Sequence, residues 1–123
     1  LIFVGTWMAG GELSVDGGRL RIGKTGKHKF VRLVDEVTLN GREALARGAQ
    51  VWFVTNVGIL RLEDRGLVLV ALAPGVDLER DVLCAPSGIH VPPERPIPVL
   101  DSSLLTGEGF QLAWVPGPES ETL

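Results

Sequence analysis

A single cysteine, Cys84, leaves this chain without any internal disulfide or multi-cysteine metal site. It has only two histidines, His28 and His90, with no HExxH spacing between them and no serine or cysteine nucleophile motif beside either. P-loop and GxGxxG sequences are both absent, so no motif for a resident nucleotide is present. No run approaches the ~20 apolar residues that cross a bilayer. The longest, residues 67–73, is closed by Gly66 and Pro74. Charge of one sign is also missing, because a formal net charge of −3 exerts no overall pull on nucleic acid or anionic lipid. The sequence therefore predicts no metal, no permanently bound cofactor, no nucleic-acid partner and no membrane. It points to a cytoplasmic chain in a reducing compartment, with Cys84 serving as a small apolar residue at a helix end.

What is present is ordinary globular material: 45% hydrophobic and 22% charged residues over 123 positions, enough for one domain. A chain of this size buries roughly two thirds of the surface exposed when unfolded. The organising stretch is residues 51–83, VWFVTNVGILRLEDRGLVLVALAPGVDLERDVL. Bulky β-branched residues on both faces of residues 51–55 predict a strand that continues past a bend at Asn56 to Leu62. Glu63-Asp64-Arg65-Gly66 has the form of a four-residue hairpin loop, after which residues 67–73 return antiparallel. Pro74-Gly75 then turns the chain into Asp77, an N-cap for a short helix through Leu83 that Pro86 stops. Asp77, Glu79 and Asp81 are explained by capping and the helix dipole without any catalytic role.

Everything earlier prepares a surface for that stretch. Leu1-Ile2-Phe3-Val4 is apolar on both faces, as in a strand covered on both sides. It lacks an initiator methionine, a basic leader and a cleavage site, which reads as a start inside an element of a larger protein. The glycines of Met8-Ala9-Gly10-Gly11 either present backbone N–H groups to a substrate or simply turn the chain. Alternation of Leu13 and Val15 with Leu20 and Ile22 about Asp16-Gly17-Gly18 is a hairpin signal. Residues 30–39 read as a longer strand interrupted near Asp35-Glu36. Arg19, Arg21, Lys24, Lys27, Lys29, Arg32 and His28 collect on this hairpin region, either as a solvated face or as a contact for the phosphates of a nucleotide-like molecule. No aromatic residues are interleaved with them for base stacking. Asn40-Gly41-Arg42-Glu43 has the form of a capping box for a two-turn helix that ends at Gly48. Beyond Pro86 the chain is proline-rich over residues 91–98 and should lie extended on the surface. A last apolar patch at residues 110–115 adds a strand or docks on the body, and Pro116 onward should fray.

Several blocks of this sequence, in order, resemble the carboxyl-terminal end of family I coenzyme A transferases. Residues 52–62 and 66–69, followed by Ala73-Pro74-Gly75-Val76-Asp77-Leu78-Glu79-Arg80-Asp81-Val82-Leu83, are similar to the fused-chain acyl-CoA:acetate and 3-ketoacid enzymes. LIFVGTWMAGG at the start resembles the family's VVFCGTFTAGG strand and loop, and Leu39-Asn40-Gly41-Arg42 matches its TFSG helix start. Thr55-Asn56-Val57-Gly58 departs from the family's Thr-Glu-Arg-Ala, and Trp7-Met8 from its Phe-Thr.

The resemblance implies an α/β fold: a mixed sheet with antiparallel hairpins and short helices, the C-terminal part of an open α/β domain. Residues 1–86 would be the C-terminal part of the second half, and residues 87–123 a proline-rich tail. It also implies a coenzyme A thioester as substrate, and catalysis in which a glutamate attacks the thioester to give an anhydride and then a glutamyl-CoA. That glutamate belongs to a Glu-(Ser/Asn)-Gly motif upstream, which this sequence lacks, so no catalytic residue is expected in the chain. The implied partners are the remainder of the enzyme, acyl-CoA and carboxylate substrates, and further copies in a homo-oligomer. Gly5, Thr6, Gly10 and Gly11 match the family's strand and loop and would wall the CoA cleft. The alternative is a non-catalytic interaction or regulatory module with the same fold.

Overall fold

A computed structural model describes residues 1–113 and 115 of the chain. In order these form β1 (Ile2–Gly5), β2 (Met8–Ala9), β3 (Glu12–Asp16), β4 (Arg19–Lys24), β5 (Lys27–His28), α1 (Gly41–Ala46), β6 (Trp52–Thr55), β7 (Gly58–Glu63) and β8 (Gly66–Leu72). A π-helical segment (Leu78–Leu83) and the short helix α2 (Ser103–Thr106) follow. The mixed sheets with short helices agree with the fold class expected.

Strands β6, β7 and β8 are the antiparallel centre of a four-stranded sheet ordered β1-β6-β7-β8. The bend expected at Asn56 is a full reversal. The Thr55 hydroxyl accepts from the backbone N–H groups of Val57 and Gly58 at 3.2 and 3.1 Å and donates to the Gly58 carbonyl at 2.8 Å. Such a side-chain-closed turn substitutes for the Asn-Gly chemistry of a usual hairpin. The second hairpin is tighter than the four-residue loop expected, since Glu63 already pairs with Gly66 and only Asp64 and Arg65 lie between.

On the other side of β6 lies β1, parallel and in register from Ile2↔Trp52 to Gly5↔Thr55. It was expected to be covered on both faces. Instead Ile2 and Val4 are 69% and 80% exposed, because among the described residues nothing is layered over them. The β3–β4 hairpin forms where Asp16-Gly17-Gly18 predicts it, with both glycines at positive φ.

The strand expected over residues 30–39 does not form. The preceding strand, β5, pairs with β2 for only two residues, and a strand needs a ladder partner. Phe30 tucks its ring against Trp7 and Phe53, at centroid distances of 5.0 and 6.0 Å, while Leu33 beyond it is 90% exposed.

Helix α1 starts as its capping residues dictate, with the Glu43 N–H donating to the Asn40 side chain at 3.2 Å. The Glu43 carboxylate faces Arg47 at 3.6 Å instead of returning to the cap. Gly48 ends the helix at φ 76°, its N–H donating to the Leu45 carbonyl at 2.9 Å.

One apolar core joins these parts: Trp7, Met8, Leu20, Val57, Leu60, Leu69, Leu72, Ala73 and Val82. The larger of these side chains each contribute on the order of 1.5–3 kcal/mol by burial. The proline-rich segment closes the outer edge of β8. Leu69 N–H donates to the His90 carbonyl and His90 N–H to the Leu67 carbonyl, both at 2.9 Å, and further along Leu72 N–H donates to the Pro98 carbonyl at 3.0 Å and Leu100 N–H to the Leu72 carbonyl at 2.8 Å. Ion pairs from Arg95 to Glu63 at 3.0 Å and from Arg65 to Glu94 at 2.7 Å hold the segment across the second hairpin. The patch at residues 110–115 is irregular over its described residues. Trp114 and Pro116 onward lie outside them.

Candidate functional site

Gly5 and Thr6 sit where β1 ends, at the C-terminal end of a parallel strand, the usual position for ligands in open α/β sheets. A side chain added at Gly5 would meet nothing within 4 Å, so this is open backbone. Thr6 is less free. Its hydroxyl donates to the Met8 carbonyl at 2.9 Å and accepts from the Lys29 ammonium at 2.6 Å. Trp7 N–H donates to the Asn56 side chain at 2.9 Å, which ties this loop to the β6–β7 turn.

Gly10 is as open as Gly5, with nothing within 4 Å of an added side chain, whereas Gly11 is enclosed. Gly10 turns the chain at φ 70°. Gly11 lies in a backbone-to-backbone junction, where an added Cβ would stand 2.9 Å from both the Lys24 carbonyl oxygen and Met8 Sδ. Met8 Sδ accepts a hydrogen bond from Gly26 N–H at 3.0 Å. An added Cβ at Gly26 would fall on the Ala9 carbonyl and the Gly11 nitrogen. The structure thus leaves Gly5, Thr6 and Gly10 accessible and packs Gly11 against the backbone of Lys24 and Gly26.

Beside this loop opens a cleft of about 260 Å³ whose walls include Trp7, Met8, His28, Arg80, Asp81 and Cys84. Cys84, read from the sequence as an apolar helix-end residue, does end the π-helical segment but is exposed. Arg80 and Asp81 form a bidentate pair, Nε to Oδ1 at 2.7 Å and Nη2 to Oδ2 at 2.8 Å. Asp81 also accepts from Asp77 N–H at 2.8 Å, while Asp77 accepts from Arg80 N–H at 2.8 Å. The sequence explained these acids by capping, and the caps are there. The Arg80–Asp81 pairing was missed, since adjacent residues on a regular helix do not face each other. The wider π winding, with Cys84 N–H donating to the Glu79 carbonyl five residues back, accompanies it.

The Arg80 guanidinium, and the Asp77 N–H after it, hold the Asp81 carboxyl below the ordinary aspartate value of 3.8. A depressed folded-state pKa adds stability that is fully present above the unfolded value and is lost as pH falls through the folded one. The melting temperature should therefore drop on acidification below about pH 4, and Asp81→Asn should flatten that part of the profile. Thermal unfolding of both proteins between pH 7 and pH 3 checks this; parallel profiles would contradict it.

A larger concavity, about 630 Å³, lies elsewhere, between α1 and β7, and includes Leu45, Gln50, Arg61, Glu63, Asp64 and Arg65. Its central charges are already paired. Glu63 accepts from Arg61 at 2.6 Å and from Arg95 at 3.0 Å, and these bonds hold its carboxyl below the usual range. The Arg61 guanidinium lies 5.4 Å above the Trp52 ring. This cluster clamps the second hairpin.

Among the described residues no polar or charged residue is buried as a whole, and no group of three His, Cys, Asp or Glu is arranged to hold a metal ion. No helix among them is long and apolar enough to cross a membrane.

No protein-family model matches the chain. It is 40% identical over 85 residues to the acetate CoA-transferase YdiF of Escherichia coli K12, an alignment covering 68% of this chain and 16% of that protein. Caffeate CoA-transferase of Acetobacterium woodii is 31% identical over 84 residues, with the same coverage. The crystal structure of the E. coli O157:H7 acyl-CoA transferase YdiF, described as a thioester complex with CoA, superposes with a TM-score of 0.75 at 35% identity. It covers 84% of this chain and 20% of that one. The YdiF apoenzyme gives a TM-score of 0.72. The chain thus spans about a sixth of the length of the curated relatives it matches. In sequence and in fold alike, it matches a portion of the CoA-transferases.

Proposed function

We propose that the chain is the C-terminal part of the second half of a family I CoA-transferase. The intact enzyme moves CoA from an acyl-CoA to a short-chain carboxylate or 3-keto acid through a glutamyl-CoA thioester. The single observation that carries this reading is the 40% identity held over 85 residues by a chain whose relatives are several times longer. The nucleophilic glutamate then belongs to a segment upstream of these residues.

In this reading residues 1–86 complete the catalytic half and residues 87–123 are its tail. Gly5 and Thr6, with the turn at Gly10 and Gly11, wall the cleft that takes the CoA thioester. Parallel strands are ordinarily buried on both faces. The exposed Ile2 and Val4 and the free edge of β1 are accordingly assigned to the remainder of the enzyme, which works in the cytoplasm as a homo-oligomer. The absence of the Glu-(Ser/Asn)-Gly motif favours one second reading, a non-catalytic interaction or regulatory module.

Acyl-CoA and labelled acetate separate the two. The gene product that carries this chain should exchange label and be inactivated by borohydride in the presence of acyl-CoA, while the 123-residue chain alone should exchange none. Absence of exchange by the whole gene product would leave the module.

A further inference from the structure

The sequence concentrates its positive charge. Residues 19–32 hold six of the twelve lysines and arginines and no acid, in a chain whose net charge is −3. The fold then brings three arginines to the lining of one cleft of about 460 Å³, within the usual size range of ligand pockets. Arg19 and Arg21 alternate on one face of β4, opposite the buried Leu20, and Ser14 stands across from Arg21 on β3. Arg80 completes the lining from the π-helical segment.

The two walls are locked together. Leu20 N–H donates to the Pro74 carbonyl at 2.6 Å, and Gly75, at φ 91°, lies so close that a Cβ there would fall on the Leu20 carbonyl and 2.8 Å from its nitrogen. Arg80 is itself held. Asp81 takes its Nε and Nη2, which leaves Nη1 and its two N–H groups for another acceptor. Arg21 has only an exposed contact with Asp16 at 3.2 Å, and Arg19 has no ion pair among the described residues. Arginines that line one polar cleft and keep guanidinium N–H groups to spare supply the chemistry that binds phosphate oxygens.

We propose that the Arg19–Arg21–Arg80 cleft binds the phosphate groups of coenzyme A. The inference rests on the CoA-transferase reading for the identity of the ligand, while the cleft itself is testable with inorganic pyrophosphate. In ¹H–¹⁵N spectra of the 123-residue chain at low salt, pyrophosphate should shift the amides of residues 20–23 and Gly75, and added salt should reverse the shifts. CoA should move the same amides and pantetheine, which has no phosphate, should not.

Arg19→Gln with Arg21→Gln should weaken pyrophosphate and CoA alike by about tenfold, corresponding to the loss of two charge-assisted contacts. Both positions are exposed on a strand, so the fold should persist. Ser14→Asp, which places a carboxylate in the cleft, should have the same effect as an independent check. Pyrophosphate shifts absent from these amides, or affinities unchanged in both variants, would overturn the proposal. CoA binding that leaves these amides unmoved would overturn it too, yet leave the transferase reading intact. Pyrophosphate binding in the cleft without any CoA binding would place the failure in that reading.

Discussion

Replacing Gly75 by alanine is expected to be among the most destabilising single changes in the chain, costing about 2–5 kcal/mol. Two independent terms add. At φ 91° the residue occupies backbone space that an L side chain reaches at about 1–2 kcal/mol. The new methyl would also fall on the Leu20 carbonyl, and relieving that overlap requires parting β4 from the 74–75 turn, an overpacking cost of about 1–3 kcal/mol. The obstacle is backbone on both sides, so no rotamer change absorbs it. Urea unfolding read by far-ultraviolet dichroism checks the figure, and a loss under about 1 kcal/mol would show that hairpin and turn part freely. The same variant should blunt the pyrophosphate response, since Arg19 and Arg21 would move away from Arg80.

Leu60→Ala is the second large effect, expected at about 2–5 kcal/mol. Leu60 is 1% exposed and sits in register between Phe53 and Leu69, flanked by strands on both sides. A cavity there is walled by paired backbone that cannot collapse into it, which argues for the upper part of the range. Leu112→Ala removes the same atoms from an exposed position and should change stability by less than about 0.5 kcal/mol. Similar values for the two would refute the placement of the core.

These effects trace what was readable in the chain and what was not. The central strands were legible because Val51-Trp52-Phe53-Val54 and Leu67-Val68-Leu69-Val70 are bulky on both faces, and α1 because Asn40 and Gly48 carry local signals that act within one turn. The reversal at Asn56 was read as a bend because its chemistry resides in the Thr55 hydroxyl, not in a turn dipeptide. Residues 30–39 look like a strand by local pattern, but pattern cannot supply the partner edge that a ladder needs. The parallel match of β1 to β6 joins residues some fifty positions apart, beyond any periodic signal.

Of the candidate site, Gly5 and Thr6 were proposed through resemblance. The difference between an open Gly5 and an enclosed Gly11 depends on Met8 and Lys24, which only the folded chain brings near. Arg80 was invisible as a cleft residue for the same reason: a helical position reveals its neighbours along the helix, not the hairpin across from it.

The pairing of His90, Pro98 and Leu100 with the outer side of β8 gives the main sheet a polarity. One border is sealed by the chain's own backbone, and along the other β1 has no further strand beside it among the described residues. Strand addition to this sheet therefore has one direction, outward from β1 toward the segment assigned to the remainder of the enzyme, and cannot proceed past β8.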